Sequence, residues 1–226
     1  MSAARKLVIA IDGPAGSGKT TIAARLAKRL GYVNLESGAM YRALALKALE
    51  QQVSLDDGEA LRQLAAGTAI ELEPRGEGNR VLLDGRDVSQ RIRDTDVTAA
   101  ASRVSIHPQV REVMVKRQRA LGLDGGVVME GRDIGTAVFP KAEVKIFLDA
   151  DPSVRAERRV LQNGSRSAEE ARRVQAEIAA RDQRDRTRAA SPLIAAPDAV
   201  HVDTTHKSID DVVAEVEQLV QEVVRK

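Results

Sequence analysis

The chain has 226 residues and no cysteine, and its 35 Lys and Arg against 33 Asp and Glu give a net charge of +2 at pH 7. That length supports one sizeable core with room for a small insertion. The near balance of charge excludes a strong positive electrostatic field that would bind long nucleic acids. The absence of cysteine excludes disulfides and thiolate metal sites. The apolar run near the amino terminus is too short for a secretory signal or a membrane span, so we expect a cytoplasmic protein that binds no membrane.

Short apolar segments alternate with longer helical patterns, which is typical of an α/β fold with a parallel sheet covered by helices. The predicted strands are Lys6 to Ile11, Val127 to Glu130, Val144 to Asp149 and Ala199 to Asp203. The predicted helices are Lys19 to Leu30, Gly38 to Leu49, Pro108 to Ala120, Pro152 to Gln162 and Ala168 to Arg186. Residues 68–84 break the alternation with two strand patterns around a Pro, Gly and Asn turn, which predicts an inserted hairpin.

The segment GPAGSGKT, Gly13 to Thr20, matches the phosphate-loop motif G-x-x-x-x-G-K-[ST] and lies between a predicted strand and a predicted helix. Its glycines allow backbone N–H groups to point into one concavity at the positive end of the helix. Lys19 can then reach the β and γ phosphates of a nucleotide, and the Thr20 hydroxyl can ligate Mg²⁺. The predicted nucleotide-binding residues are Gly13, Pro14, Ala15, Gly16, Ser17, Gly18, Lys19, Thr20 and Thr21.

Motifs that would define the reaction of a phosphate-loop protein are missing from this sequence. There is no Asn-Lys-x-Asp run for guanine, and the H-R-D and D-F-G motifs of protein kinases are absent. Two classes therefore stay open at this point: a small-molecule kinase, and a nucleotide-dependent binding module that uses its arginines on RNA.

The segment EGRDIGT follows a predicted buried strand. In an open parallel sheet, ligands gather at the carboxyl ends of the strands, so Arg132 and Asp133 are expected to face the same crevice as Lys19. A second Gly-Arg-Asp triplet follows the predicted hairpin, and its Arg86 and Asp87 are interpreted as turn residues.

The segment RDQRDRTR places four arginines and two aspartates on one predicted helix. Arg181, Asp185 and Arg188 are spaced by four and three residues and therefore share a face. That face is either a salt-bridged surface or a phosphate clamp with a carboxylate for a sugar hydroxyl. Asp182 and Arg186 are expected to point elsewhere and form an ordinary solvated pair.

The sequence offers no obvious strong general base, because its three histidines lie in no recognisable motif. An alcohol acceptor would normally need such a base. A phosphate acceptor does not, since its second pKa is about 6 and it is already anionic at pH 7. Two like charges 4 Å apart cost roughly 4 kcal/mol at an effective dielectric of about 20, so a site rich in arginine suits phosphate-to-phosphate transfer.

Six segments, in this order and spacing, resemble the bacterial cytidylate kinases: GPAGSGKTT, ESGAMYR, ASRVS through KRQR, EGRDIGTAVFP, KIFLDA and RDQRDRTRAASPL. The resemblance runs from about Val8 to His206. It implies transfer of the γ-phosphoryl group of ATP to CMP or dCMP with Mg²⁺, in a monomer that binds no nucleic acid polymer. A kinase acting on UMP or AMP is the nearest alternative, and the role of Glu130 stays open.

The resemblance also implies the nucleoside monophosphate kinase fold, which is a phosphate-loop (P-loop) α/β/α sandwich of three layers around a central parallel sheet. One kinase domain would then have three parts. The core would take about residues 1–36, 100–150 and 187–226, the monophosphate-binding region with its inserted hairpin 37–99, and a short helical lid 151–186.

Individual roles follow from the same resemblance. The cytosine would contact Ser102, Arg111 and Asp133. The ribose would contact Arg181 and Asp185. The acceptor phosphate or the phosphoryl group would contact Ser37, Arg42, Arg132 and Arg188. Arg158 and Arg159 match the lid position and would close over the ATP phosphates, which excludes water as a competing acceptor. The catalytic group implied is Lys19, Arg132, Arg158, Arg159 and Arg188, with Thr20 as the metal ligand.

Overall fold

The computed structural model describes residues 6–75, 78–162 and 168–225. Its strands are β1 (Val8–Asp12), β2 (Val33–Glu36), β3 (Ile70–Arg75), β4 (Gly78–Leu83), β5 (Arg86–Asp87), β6 (Val127–Gly131), β7 (Val144–Asp149) and β8 (Val200–Asp203). Its helices are α1 (Lys19–Leu30), α2 (Ser37–Glu50), α3 (Gly58–Ala66), α4 (Thr95–Val104), α5 (Pro108–Leu121), α6 (Pro152–Gln162), α7 (Ala168–Thr187) and α8 (Ile209–Val224). A 3₁₀ turn at Arg91–Arg93 and a π-helical turn at Ile134–Val138 complete the elements of these residues.

The main sheet of the described residues has five parallel strands in the order β2-β6-β1-β7-β8. Side chains alternate across it, so Ile9 and Ile11 of the central strand β1 pack with α1 and α8 on one face. Ala10 points to the other face and packs with Met129 and Ile134. The α/β fold with a central parallel sheet is therefore confirmed, and the carboxyl ends of β1, β6 and β7 meet at one edge.

Helix α1 has the predicted boundaries because glycines stand at both of its ends. Gly18 at the N-cap has φ of 92°, and Gly31 after the last turn has φ of 65°, both in the left-handed region that glycine adopts without strain. The helix therefore begins at Lys19 and turns its amino end toward the carboxyl edge of the sheet.

The predicted hairpin is present as β3 and β4, which pair antiparallel. Residues 76–77, in the middle of its turn, lie outside the described residues. The interpretation of Arg86 and Asp87 as turn residues was wrong, because they form the short strand β5 and pair with β4. Their side chains are exposed, and Arg86 donates to Glu50, so this Gly-Arg-Asp triplet is part of the small sheet.

Several elements were missed from the sequence, namely β2, α3, α4 and α8. Strand β2, VNLE, is too short and too polar to show a clear alternation. Of the predicted lid, residues 163–167 lie outside the described part of the chain, as do residues 1–5 and 226 of the predicted core. Among the residues that are described, no helix is both long enough and apolar enough to cross a membrane.

Candidate active site

The P-loop follows β1 directly and leads into α1, as predicted. Gly13 is required because the chain passes very close to β7: a Cβ added there would lie 2.0 Å from the carbonyl oxygen of Leu148. Lys19 Nζ donates to the Pro14 carbonyl at 2.6 Å and to Ser17 Oγ at 3.4 Å. The loop therefore wraps around the ammonium group of Lys19, a residue that is 6% exposed.

Burial, with the nearby guanidinium of Arg132 as the next cause, lowers the pKa of Lys19 to about 7. The charged ammonium is consequently disfavoured in the protein alone. An anion placed in the P-loop would raise this pKa again, because it stabilises the charged form.

Thr20 and Glu130 form the part of the site that suits a divalent cation. Thr20 Oγ1 donates to Glu130 Oε1 at 2.9 Å, although the two residues are 110 positions apart. Burial raises the pKa of Glu130, and repulsion from Glu36 adds to this effect. Mg²⁺ prefers oxygen ligands and is usually held by one or two protein oxygens together with phosphates and water. A hydroxyl beside one carboxylate therefore fits Mg²⁺ carried by a nucleotide.

Two more buried carboxylates at this edge were not anticipated as site residues. Asp12, at the end of β1, accepts hydrogen bonds from the backbone N–H groups of Ile134 and Gly135 at 2.8 and 2.7 Å. Burial raises its pKa to about 6. Asp12 therefore holds the loop after β6, and its position at the end of a predicted strand was the signal that could have identified it.

Glu36, the second of these carboxylates, ends β2 and forms a buried ion pair with Arg42. Burial by itself would raise the pKa of Glu36, but the pairing outweighs it and lowers the pKa. Ser37 is not a helix cap, since the N-cap of α2 is Glu36 and Ser37 Oγ donates to the Glu130 carbonyl at 2.8 Å. These contacts place the start of α2 against the end of β6.

The predicted face of α7 meets the loop after β6. Asp185 accepts from Arg132 Nε at 3.1 Å. Arg188 lies 3.5 Å from Asp185 and 3.6 Å from Asp133. Burial lowers the pKa of Arg181 to about 10, with Arg132 as the next cause. Arg181 is therefore held close to Arg132 at the cost of repulsion between the two charges.

Some buried donors of these arginines have no hydrogen-bond partner among the described residues. They include Arg42 Nε, Arg181 Nε and Arg188 Nη2. A buried donor without a partner costs about 1–3 kcal/mol, and more when it is charged. An anion bound among these groups would remove that cost, so the arrangement favours a phosphate ligand.

Ser102, Arg111 and Asp133 are all buried at the side of this cluster. Arg111 forms an ion pair with Asp133 and lies 5.4 Å from the centre of the Tyr41 ring. Ser102 Oγ accepts from Arg184 Nε at 3.1 Å, so helix α7 reaches this pocket too. The pocket combines a donor, an acceptor and a hydroxyl, which is a set that can read the edge of a base.

The two arginines predicted for a lid, Arg158 and Arg159, point in different directions. Arg158 donates to Thr204 Oγ1 at 2.9 Å and to the Thr204 carbonyl at 2.6 Å. Thr204 in turn donates to the P-loop carbonyl of Ser17 at 3.2 Å. The pKa of Arg159 is lowered by burial and then by the charge of Arg42, so Arg159 lies near Arg42.

The expectation that Asp182 is solvated and pairs with Arg186 was wrong. Asp182 is buried and forms an ion pair with Arg155 of α6. Arg155 is buried as well. Asp182 and Asp185 are three positions apart and thus neighbours on the helix surface, yet their partners come from distant parts of the chain.

A P-loop at the carboxyl edge of a parallel sheet, faced by converging arginines, defines a P-loop phosphotransferase. The sequence model described as cytidylate kinase matches residues 9–222. The chain belongs to the cytidylate kinase family, which confirms the resemblance seen in the sequence.

Named relatives agree with this assignment. The protein is similar to a cytidylate kinase of Geobacillus sp. (strain WCH70), with 51% identity over 95% of this chain and 96% of the relative. It is also similar to a cytidylate kinase of Enterococcus faecalis (strain ATCC 700802 / V583), with 49% identity over 96% of each. A solved gluconokinase of Sinorhizobium meliloti 1021 has the same fold, with a TM-score of 0.50 and 14% identity over 98% of this chain and 95% of that one.

Proposed function

We propose that this protein transfers the γ-phosphoryl group of ATP to CMP or dCMP, giving ADP and CDP or dCDP. The observation that carries the proposal is the group of buried guanidinium donors that have no hydrogen-bond partner among the described residues, together with the buried Ser102, Arg111 and Asp133. Family membership supports the same acceptor. A monomer acting on free nucleotides in the cytoplasm belongs to the proposal.

The proposed chemistry is a direct in-line transfer. An oxygen of the acceptor phosphate forms a bond to the γ phosphorus, and the bond from that phosphorus to the β,γ-bridging oxygen breaks, so ADP leaves. Lys19 would bind the β and γ phosphates, and Arg42, Arg132 and Arg188 would neutralise the acceptor phosphate and the phosphoryl group. Bound Mg²⁺ would supply charge neutralisation at the phosphates, held by the Thr20 hydroxyl close to Glu130.

The remaining groups would position the nucleoside. Asp133 has carboxylate lone pairs beyond those used by Arg111 and would accept from the cytosine amino group. Uracil has a carbonyl at that position, which would meet the carboxylate unfavourably. Asp185 and Arg181 would bind the sugar, and the lid, residues 151–186 with Arg158 and Arg159, would close over the ATP phosphates.

A panel of monophosphates tests the acceptor. With ATP and Mg²⁺, we expect CMP and dCMP to stimulate ADP release far more than UMP or AMP at equal concentration. Measuring initial rates with each of the four nucleotides decides the point. Comparable rates on AMP would remove the cytidine assignment, and no stimulation by any of them would remove the kinase assignment.

ATP binding should be coupled to proton uptake by Lys19. Its pKa is about 7 in the protein alone, and the phosphates should raise it. Because binding raises the pKa of Lys19, the contribution of its charge to affinity is fully present below pH 7 and is lost as the pH rises through the pKa of the bound form. Calorimetric titration with a non-hydrolysable ATP analogue, at about pH 8 in buffers of different ionisation enthalpy, should therefore detect uptake of nearly one proton.

The matched control for this titration is Lys19→Arg, which stays charged throughout. It should bind the analogue without that proton uptake. Equal proton uptake by the wild type and the arginine variant would contradict the assignment to Lys19.

A further inference from the structure

The buried ion pair of Arg155 and Asp182 contacts the P-loop backbone. Asp182 Oδ1 accepts from the backbone N–H of Ala15 at 3.1 Å, and Arg155 Nη1 donates to the Ala15 carbonyl at 3.0 Å. Arg155 Nε also donates to the Ala150 carbonyl at 3.1 Å. One side-chain pair therefore satisfies both backbone polar groups of a single P-loop residue.

Burying this ion pair costs free energy. Arg155 and Asp182 are each only 6% exposed, and taking two charges out of water costs several kcal/mol per ion before their attraction is counted. Apolar residues of similar volume could connect α6 and α7 at least as stably, as Ala156, Val160 and Ile178 already do in the same interface. The two charges add directional contacts to the P-loop, which apolar side chains cannot make.

The backbone of α6 also lies against the P-loop. Gly16 has φ of +78°, and a Cβ added there would lie 2.8 Å from the Arg155 carbonyl oxygen. Residues 15 and 16 are therefore held from one side by Arg155 and Asp182. Their neighbours toward α1 provide the N–H groups that a P-loop uses to bind phosphate.

Helix α7 also contacts a second group of site residues. Residues three apart on a helix lie on neighbouring positions of the same side, about 60° apart, and here Asp182 accepts from the P-loop while Asp185 accepts from Arg132. One rigid helix thus has a contact to the P-loop and a contact to the arginines of the acceptor side.

We propose that Asp182, together with Arg155, is a positioning residue that holds the P-loop in its phosphate-binding conformation and connects it through α7 to the acceptor side. The proposal rests on the proposed function, since it takes the P-loop as the ATP site. Asp182 acts through Ala15 and needs no contact with either nucleotide.

The test compares Asp182→Ala and Asp182→Asn with the wild type by steady-state kinetics in both substrates. Asp182→Ala should raise the KM for ATP roughly tenfold, the size expected for losing a hydrogen bond to a charged group, with a much smaller change in the KM for CMP. Asp182→Asn keeps an oxygen acceptor for the Ala15 N–H, so its KM for ATP should lie between those of the wild type and Asp182→Ala. A purely structural role would lower Tm and the active fraction without this selective change, and an unchanged KM for ATP in both variants would overturn the proposal.

A double-mutant cycle with Arg155→Ala provides a second measurement. Both side chains act on Ala15, so the effects on the KM for ATP should be far from additive. Additive effects would overturn the shared role. If an alanine variant fails to fold, Asp182→Asn and Arg155→Lys give the same cycle.

The matched control is Asp56→Asn, which removes the same charge from an exposed ion pair with Arg103. It should leave the KM for ATP unchanged. Calorimetric binding of a non-hydrolysable ATP analogue separates the two proposals, because it detects weaker binding by Asp182→Ala even if the wild type shows no CMP-stimulated ADP release. Equal analogue affinity in the wild type and Asp182→Ala overturns the positioning role alone.

Discussion

Replacing Lys19 by alanine should abolish turnover while leaving the protein folded. The ammonium is the buried cation at the centre of the P-loop, and charged groups that stabilise a phosphoryl transition state contribute about 10³-fold or more to kcat. Stability should not fall, because burial disfavours the charged lysine and the substitution removes that cost. ADP release with CMP and Tm, measured on the same preparation, test both parts.

The matched control is Lys28→Ala, an exposed lysine on the same helix α1. It should keep wild-type kcat and KM. Turnover by Lys19→Ala within about tenfold of this control, against the 10³-fold expected, would show that the P-loop lysine does not act on the phosphoryl group.

The second large effect is expected for Arg188→Ala. The Arg188 side chain is 3% exposed, lies beside Asp133 and Asp185, and has a buried Nη2 without a hydrogen-bond partner among the described residues. Losing one such donor to a developing charge costs about 10²-fold in kcat. We therefore expect a fall of about that size in kcat, larger than any rise in the KM for ATP.

Stability has to be followed in the same experiment. Arg188 Nε also donates to the Ser191 carbonyl at 2.7 Å, and its loss leaves two buried carboxylates with less positive charge nearby. Tm should therefore fall, so kcat is compared per folded molecule. Arg186→Ala, an exposed arginine on the same helix, is the control, and normal kcat in Arg188→Ala would contradict the phosphate role.

The P-loop is a part of the structure that local sequence predicts well. Residues 13–20 follow one another in the chain, so strand, glycine turns and helix start are all determined by neighbours. Helix α1 accordingly begins and ends where the glycines predicted. The parallel sheet could also be predicted from the sequence, because its longer strands are apolar runs between helical patterns.

The contacts between distant segments could not be predicted from local sequence. Asp182 lies 167 positions from Ala15 and 27 from Arg155, and no spacing rule connects them. Thr20 and Glu130 are similarly far apart, so the role of Glu130 stayed open although its position after a strand was noted. Strand β2 was missed, and with it the position of Glu36 at the carboxyl edge of the sheet.

The sequence was searched for a general base only among its three histidines, none of which lies in a recognisable motif. The structure places Asp12, Glu36 and Glu130 at the edge of the sheet, and all three are buried carboxylates. The choice of a phosphate acceptor therefore depends on the guanidinium donors that lack a hydrogen-bond partner among the described residues and on family membership, more than on a missing base.

By itself the sequence determined the P-loop, the α/β fold and the family, because each depends on residue types at fixed short spacings or in a fixed order. Only the tertiary structure decided which charged residues of the segment RDQRDRTR are buried and which partners they have. The physical reason is desolvation: whether a charge is solvated or paired depends on which distant segments pack around it. Asp182 and Asp185 are three positions apart on α7, yet one contacts Ala15 and the other contacts Arg132.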